Sequence, residues 1–130
     1  MNLLLDTHIL LWAASQPEKL PPAMRDALLE ADNQPYFSPA SIWEINIKRG
    51  LGRNDFQVEP HRLWRTLLAN GYRELPIRTE HSLEVDKLPP LHKDPFDRIL
   101  LAQARFEGMF LMTVDSALHA YGDGIFPVSA

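Results

Sequence analysis

Two short apolar runs in this chain each lead into an aspartate. Leu3-Leu4-Leu5 is closed by Asp6, and Met109-Phe110-Leu111-Met112-Thr113-Val114 is followed by Asp115. Continuous apolar runs too brief for a helix read as short buried strands. In an open α/β sheet the carboxyl ends of such strands face the crevice where ligands bind. Two further acids fall at informative places: Asp97 in the opening of a helix that starts near Asp94-Pro95, and Glu44 between apolar neighbours in Ser41-Ile42-Trp43-Glu44-Ile45-Asn46. Carboxylates converging on one crevice repel one another unless a cation sits among them, and Mg²⁺ and Mn²⁺ take oxygen ligands of this kind. The pattern predicts a carboxylate metal site on an α/β fold, with phosphodiester hydrolysis as its chemistry.

The rest of the chain alternates the same two element types. Residues 7–14 read as a helix ended by Ser15-Gln16-Pro17. A second helix opens at Leu20-Pro21-Pro22 and carries Met24, Ala27, Leu28 and Ala31 on one face. A strand over 34–37 leads through Ser38-Pro39-Ala40-Ser41 into a helix bearing Ile42, Ile45 and Ile47, which stops at 50–52. Leu63, Leu67 and Leu68 mark another helix, closed by Asn70-Gly71. A strand over 73–77, a short helix from Thr79 and a proline-bearing loop over 87–93 follow. Then come a strong helix over 95–106 with Gly108 past its end, a strand over 110–113, and a last extended piece, Ile125-Phe126-Pro127-Val128. Strands alternating with helices indicate a central parallel sheet flanked by helices. The length of 130 residues allows one domain, 1–130, with one real core.

Bulk properties remove other classes. The chain is 45% hydrophobic and 23% charged, ordinary for a globular protein, and has no apolar run near the ~20 residues of a membrane helix. Its opening, Met-Asn-Leu-Leu-Leu-Asp, lacks the basic stretch of a signal peptide. The absence of cysteine excludes disulfides, zinc–thiolate sites and thiol catalysis, and is compatible with a cytoplasmic location. With 13 basic residues against 17 acidic ones, the net charge of −4 provides no broad basic face, although catalytic carboxylates themselves contribute to that sum. Glycine-rich nucleotide loops and the Gly-x-Ser-x-Gly elbow are missing.

Each acid also has a local explanation. Asp6 and Asp115 suit helix caps or turns. Asp94-Pro95-Phe96-Asp97 suits a capped helix start, with Asp94 at N-cap, Pro95 at N1 and Asp97 at N3. Glu44 suits a solvated helix face. What favours function is their conjunction at one sheet edge. His8 reads as a packed or hydrogen-bonding residue, and His92 and Lys93 as phosphate contacts or exposed loop residues. Trp12, Trp43 and Trp64 read as core or interface. Lys48, Arg49 and Arg53 form a basic cluster after Glu44, either solvated or guiding a phosphate backbone.

Four segments, in order along the chain, carry a family resemblance: Leu3-Leu4-Leu5-Asp6-Thr7-His8-Ile9-Leu10-Leu11-Trp12, Ser38-Pro39-Ala40-Ser41-Ile42-Trp43-Glu44-Ile45, Asp94-Pro95-Phe96-Asp97-Arg98-Ile99-Leu100-Leu101-Ala102-Gln103-Ala104 and Leu111-Met112-Thr113-Val114-Asp115. Together they resemble the PIN-domain ribonucleases, in particular the VapC-like toxins of bacterial toxin–antitoxin pairs. The resemblance implies a PIN-like α/β fold whose acidic pocket holds Mg²⁺ or Mn²⁺. Asp6, Glu44, Asp97 and Asp115 match the family's acidic quartet, Asp94 is an extra acid that either assists or caps, and Thr113 supports a ligand carboxylate. It further implies an RNA substrate, contacted through Lys48, Arg49, Arg53, Lys93 and Arg98, a homodimer, and an antitoxin partner. The alternative is a catalytically inactive PIN-like scaffold in which the acids only cap helices. A phosphoaspartate enzyme built on Asp6 would need a second acid two residues on, where His8 stands.

Overall fold

The first strand, β1 (Asn2–Leu5), is central to a four-stranded parallel sheet. On one side it pairs with β2 (Gln34–Phe37), which pairs in turn with β3 (Arg73–Glu74). On its other side runs β4 (Phe110–Met112). The computed structural model describes residues 1–127. Leu3, Leu4 and Leu5 are all fully buried because helices cover both faces of the sheet. Successive strand residues point to opposite faces, so the three leucines enter two different cores. Leu3 and Leu5 pack among Ile9, Leu10, Met24, Phe37, Ile45 and Leu63, whereas Leu4 packs among Leu100, Leu101, Leu111 and Leu118.

The first core is closed by α1 (Thr7–Ser15), α2 (Pro22–Leu29), α3 (Pro39–Gly50) and α4 (Pro60–Ala69). The second is closed chiefly by α6 (Pro95–Glu107) and α7 (Ser116–His119), with α5 (Thr79–Val85) packed along α6. The chain moves outward from β1 through β2 to β3, then crosses back to place β4 on the opposite side of β1. Strand order therefore reverses between β1 and β4, the position where open α/β sheets leave a crevice at their carboxyl ends.

Most expected elements form within two residues of their sequence bounds, and the departures have local causes. The strand expected over 73–77 pairs only at Arg73–Glu74, although the Leu75 N–H still donates to the Phe37 carbonyl at 2.8 Å. Pro76 has no N–H to continue the ladder. Helix α2 stops at Leu29, before Ala31. The final extended piece makes one parallel bridge, Ile125 to Leu111, and Val128 lies outside the described residues. Helix α6 ends on Gly108 at φ +68°, where glycine adopts the left-handed conformation without penalty. Trp43 and Trp64 are exposed and do not belong to the core, while Trp12 packs against it. Among the described residues no helix is long and apolar enough to cross a membrane.

Because Leu4 has no exposed surface and links the sheet to α6, Leu4→Ala should cost about 2–5 kcal/mol in urea unfolding. Leu29→Ala, at an exposed position on α2, should cost less than about 0.5 kcal/mol. Similar losses for the two would contradict the assignment of Leu4 to a closed core.

Candidate active site

Parallel pairing of Leu5 with Met112 brings the carboxyl ends of β1 and β4 side by side. The Asp6 N–H extends that ladder by donating to the Met112 carbonyl at 3.0 Å. Asp6 then turns into α1, and its Oδ1 accepts the Ile9 N–H at 2.9 Å as the N-cap. Asp115 caps α7 in the same manner, its Oδ1 accepting the Ala117 N–H at 2.9 Å, while its own N–H donates to Thr113 Oγ1 at 3.0 Å. Asp94 caps α6 through Oδ1, which accepts the Phe96 N–H at 2.9 Å. Three of the acids are thus helix caps. A cap occupies one carboxylate oxygen and leaves the other, so capping and ligation are compatible uses of one side chain. Asp115 illustrates this, with Oδ1 on the helix and Oδ2 3.0 Å from His92 Nε2.

Asp97, in the first turn of α6, presents Oδ2 to the same His92 nitrogen at 2.9 Å. Glu44 is 3% exposed, which removes the solvated-face explanation. Its Oε1 accepts the Thr7 hydroxyl at 2.6 Å, and Lys48, one turn along α3, donates to Oε2 at 2.5 Å. Thr7 Oγ1 also lies 3.1 Å from Ser41 Oγ, which ties the start of α1 to α3. The result is a cleft of about 390 Å³ lined by five carboxylates, those of Asp6, Glu44, Asp94, Asp97 and Asp115, with Thr7, His8, Trp12, Lys48, His92 and Val114 completing its wall.

A PIN-domain family model matches residues 3–124, nearly the whole chain. This chain belongs to the PIN-domain family. No curated protein sequence matches it significantly. Among solved structures, its PIN fold is similar to that of VapBC2 from Rickettsia felis bound to a DNA fragment from its promoter (TM-score 0.71, 14% identity, 98% of each chain covered). It is also similar to VapBC-1 from nontypeable Haemophilus influenzae (TM-score 0.64, 18% identity, 96% of this chain and 95% of that one). A toxin–antitoxin complex from Klebsiella pneumoniae is a third (TM-score 0.64, 22% identity, 98% of each chain). At these identities the likeness is one of fold.

All four acids of the expected quartet line the cleft of this PIN domain, and Asp94 joins them. The donor set fits a hard divalent cation: oxygen atoms predominate, and one donor atom from each of His92, Asp97 and Asp115 lies within 4.8 Å of the others. From the sequence, Thr7 is left out of the site and His92 reads only as a phosphate contact or an exposed loop residue. Thr7 is an unremarked neighbour of Asp6, and His92 sits in a loop where no periodicity aims a side chain. The only available sign of His92 was its place five residues before Asp97.

The expected basic contacts divide. Lys48 lines the cleft, and Arg49 and Lys93 are exposed. Arg53 is exposed, 3.3 Å from Asp55 and stacked over Phe56. Arg98 is turned toward the protein itself. Its guanidinium donates to the carbonyls of Pro89, His92 and Val85 and to the Tyr121 hydroxyl, at 3.2–3.3 Å, so it braces the loop before α6.

Crowding and burial also set the ionisation of the site. Burial pushes the Asp6 carboxyl up from 3.8 to about 6, against hydrogen bonds from Thr113 and Ile9 that favour its charged form. Asp97 is raised to about 7, first by burial and then by the charges of Asp94, Asp6 and Glu44. A carboxyl whose folded-state value exceeds its unfolded one holds extra protons when folded. Its contribution to stability is complete below pH 3.8 and is lost as pH rises through about 6 and 7. In chelator, therefore, Asp97→Asn should gain in melting temperature relative to the parent chain between pH 4.5 and 7.5. A difference that stays flat across that range would contradict this electrostatic account.

Proposed function

We propose that residues 1–130 form a single PIN-like domain that hydrolyses RNA phosphodiester bonds with Mg²⁺ or Mn²⁺, and that it is the toxin of a toxin–antitoxin pair in the cytoplasm. The observation that carries this reading is the convergence of Asp6, Glu44, Asp97 and Asp115 in one cleft at the β1–β4 switch point. Asp6, Asp97 and Asp115 would hold the cation, with Glu44 binding a second ion or orienting water. A cation bound there supplies an activated water and offsets charge developing on the phosphate. The chain's own residues do the positioning. The caps at Ile9 and Ala117 fix the Asp6 and Asp115 carboxylates, and Thr7 fixes one oxygen of Glu44. Lys48 stands at the cleft wall, and Lys93, Arg49 and Arg53 are candidates to guide the RNA backbone toward it.

The partners follow from the same reading. Structural neighbours described as VapBC or toxin–antitoxin complexes support an antitoxin partner, whose arginine would enter the acidic cleft in place of a cation. Exposed Trp43, Trp64 and Leu68 support association, including a homodimer.

Purified protein should cleave RNA with Mg²⁺ or Mn²⁺ and stop in excess chelator; full turnover in chelator would sink the metal requirement. Asp97→Asn should reduce cleavage to background without loss of folded stability, whereas Asp94→Asn should retain turnover because asparagine caps nearly as well. Asp94→Ala should lose about 0.5–2 kcal/mol of stability. Cleavage by Asp97→Asn but not by Asp94→Asn would exchange the roles of the two acids. No cleavage of any RNA by the metal-loaded parent chain would favour the inactive scaffold.

A further inference from the structure

The loop before α6 delivers a nitrogen donor into a site otherwise built from oxygen. His92 Nε2 lies 2.9 Å from Asp97 Oδ2 and 3.0 Å from Asp115 Oδ2. Ligands about 2.0–2.1 Å from an octahedral ion stand roughly 3 Å from their neighbours around it. The two separations, which are hydrogen-bond distances in the metal-free chain, also match those of adjacent ligands on one ion. We propose that His92 is a ligand of the divalent cation, through Nε2, beside Asp97 and Asp115. The assignment rests on the cleft being a cation site, and extends it by one residue and one type of donor.

The placement of His92 is built. Its flanking residues Leu91 and Lys93 are exposed, yet its own side chain is 16% exposed. The His92 N–H donates to the Tyr121 hydroxyl at 3.0 Å, and its carbonyl accepts from Arg98 at 3.2 Å. Tyr121 in turn donates to the Pro89 carbonyl at 2.7 Å. Arg98 on α6 and Tyr121 in the turn after α7 therefore hold the loop so that one ring faces the acids. Nδ1 accepts the Asp94 N–H at 3.3 Å, the longest polar contact of the ring. A ligating ring carries its proton on Nδ1, so this contact opens when the ion binds and the Nε2 lone pair becomes available.

An imidazole ligand changes which ion the site prefers. Carboxylates and water suit Mg²⁺, while imidazole favours transition ions, whose affinity rises from Mn²⁺ to Co²⁺. Replacing His92 should therefore weaken Mn²⁺ and Co²⁺ more than Mg²⁺.

The test is pulsed electron paramagnetic resonance of the full chain loaded with Mn²⁺ alone. Nitrogen-14 modulation is expected, and should change to the nitrogen-15 pattern when the histidines are labelled. It should vanish in His92→Gln and persist in His8→Gln, the other histidine lining the cleft. By titration calorimetry, His92→Gln should raise the Mn²⁺ dissociation constant by about tenfold or more and the Mg²⁺ constant by less. If His92→Gln does not fold, modulation in the parent chain that survives His8→Gln still supports the assignment. Mn²⁺ binding without nitrogen modulation, or with modulation lost in His8→Gln, overturns the ligand while leaving the cation site. Unchanged or tighter Mn²⁺ binding by His92→Gln makes the ring a stand-in for the cation and overturns the proposal. No Mn²⁺ binding at all removes both the ligand and the cation reading.

Discussion

Like charge held at close quarters is the constraint around which this molecule is arranged. Five carboxylates share one cleft, and the fold offsets their repulsion with several small devices. Four of the acids sit at helix N-termini, Asp6, Asp94 and Asp115 as caps and Asp97 in a first turn, where the peptide dipoles favour negative charge by about 0.3–1 kcal/mol each. Lys48 rests on Glu44, and the His92 ring bridges Asp97 and Asp115. Burial, and for Asp97 then the neighbouring carboxylates, still raises the Asp6 and Asp97 carboxyls, so these devices do not cancel the full cost of charging the site. A site that remains electrostatically unsatisfied is primed for a divalent ion. On the proposed reading, an ion that binds only the folded arrangement would return the stability surrendered in the metal-free chain.

That arrangement depends on the register of two short strands. Leu5 opposite Met112 puts Asp6 beside the turn that carries Thr113 and Asp115. A slip of one residue would exchange the leucine faces between two separate cores, so hydrophobic burial and site geometry are set by the same pairing. The crossover that returns from β3 to the far side of β1 also places α6 over the second core, with Asp94 and Asp97 at its cleft end. The site is assembled where the sheet reverses its strand order, and no single connection contains it.

The chain carries a net charge of −4. Most of its cations near the cleft already have partners within the protein: Lys48 with Glu44, Arg53 with Asp55, and Arg98 with two loop carbonyls and that of Val85 at the end of α5. On the proposed reading, attraction for an RNA phosphate at this cleft would therefore depend on bound cations more than on side-chain charge.

The amino-acid sequence by itself determined the alternation of strands and helices, the burial of Leu3-Leu4-Leu5, the cap at Asp94 and the list of acids. Each is a local property, set by hydrophobic run length, by proline and glycine positions, or by a short motif. Tertiary structure alone decided what those residues do together. It turned Glu44 from a residue that could equally face solvent into one 3% exposed, because α3 packs its inner face against Thr7 and the first core. It spent Arg98 on the carbonyls of Pro89, His92 and Val85, because the loop before α6 folds back over that helix. It also brought His92 between two aspartates that lie 5 and 23 residues away in the chain. Spacing rules describe helices and strands. A loop side chain is aimed by distant partners, here Tyr121 and Arg98, and only the folded chain brings those partners together.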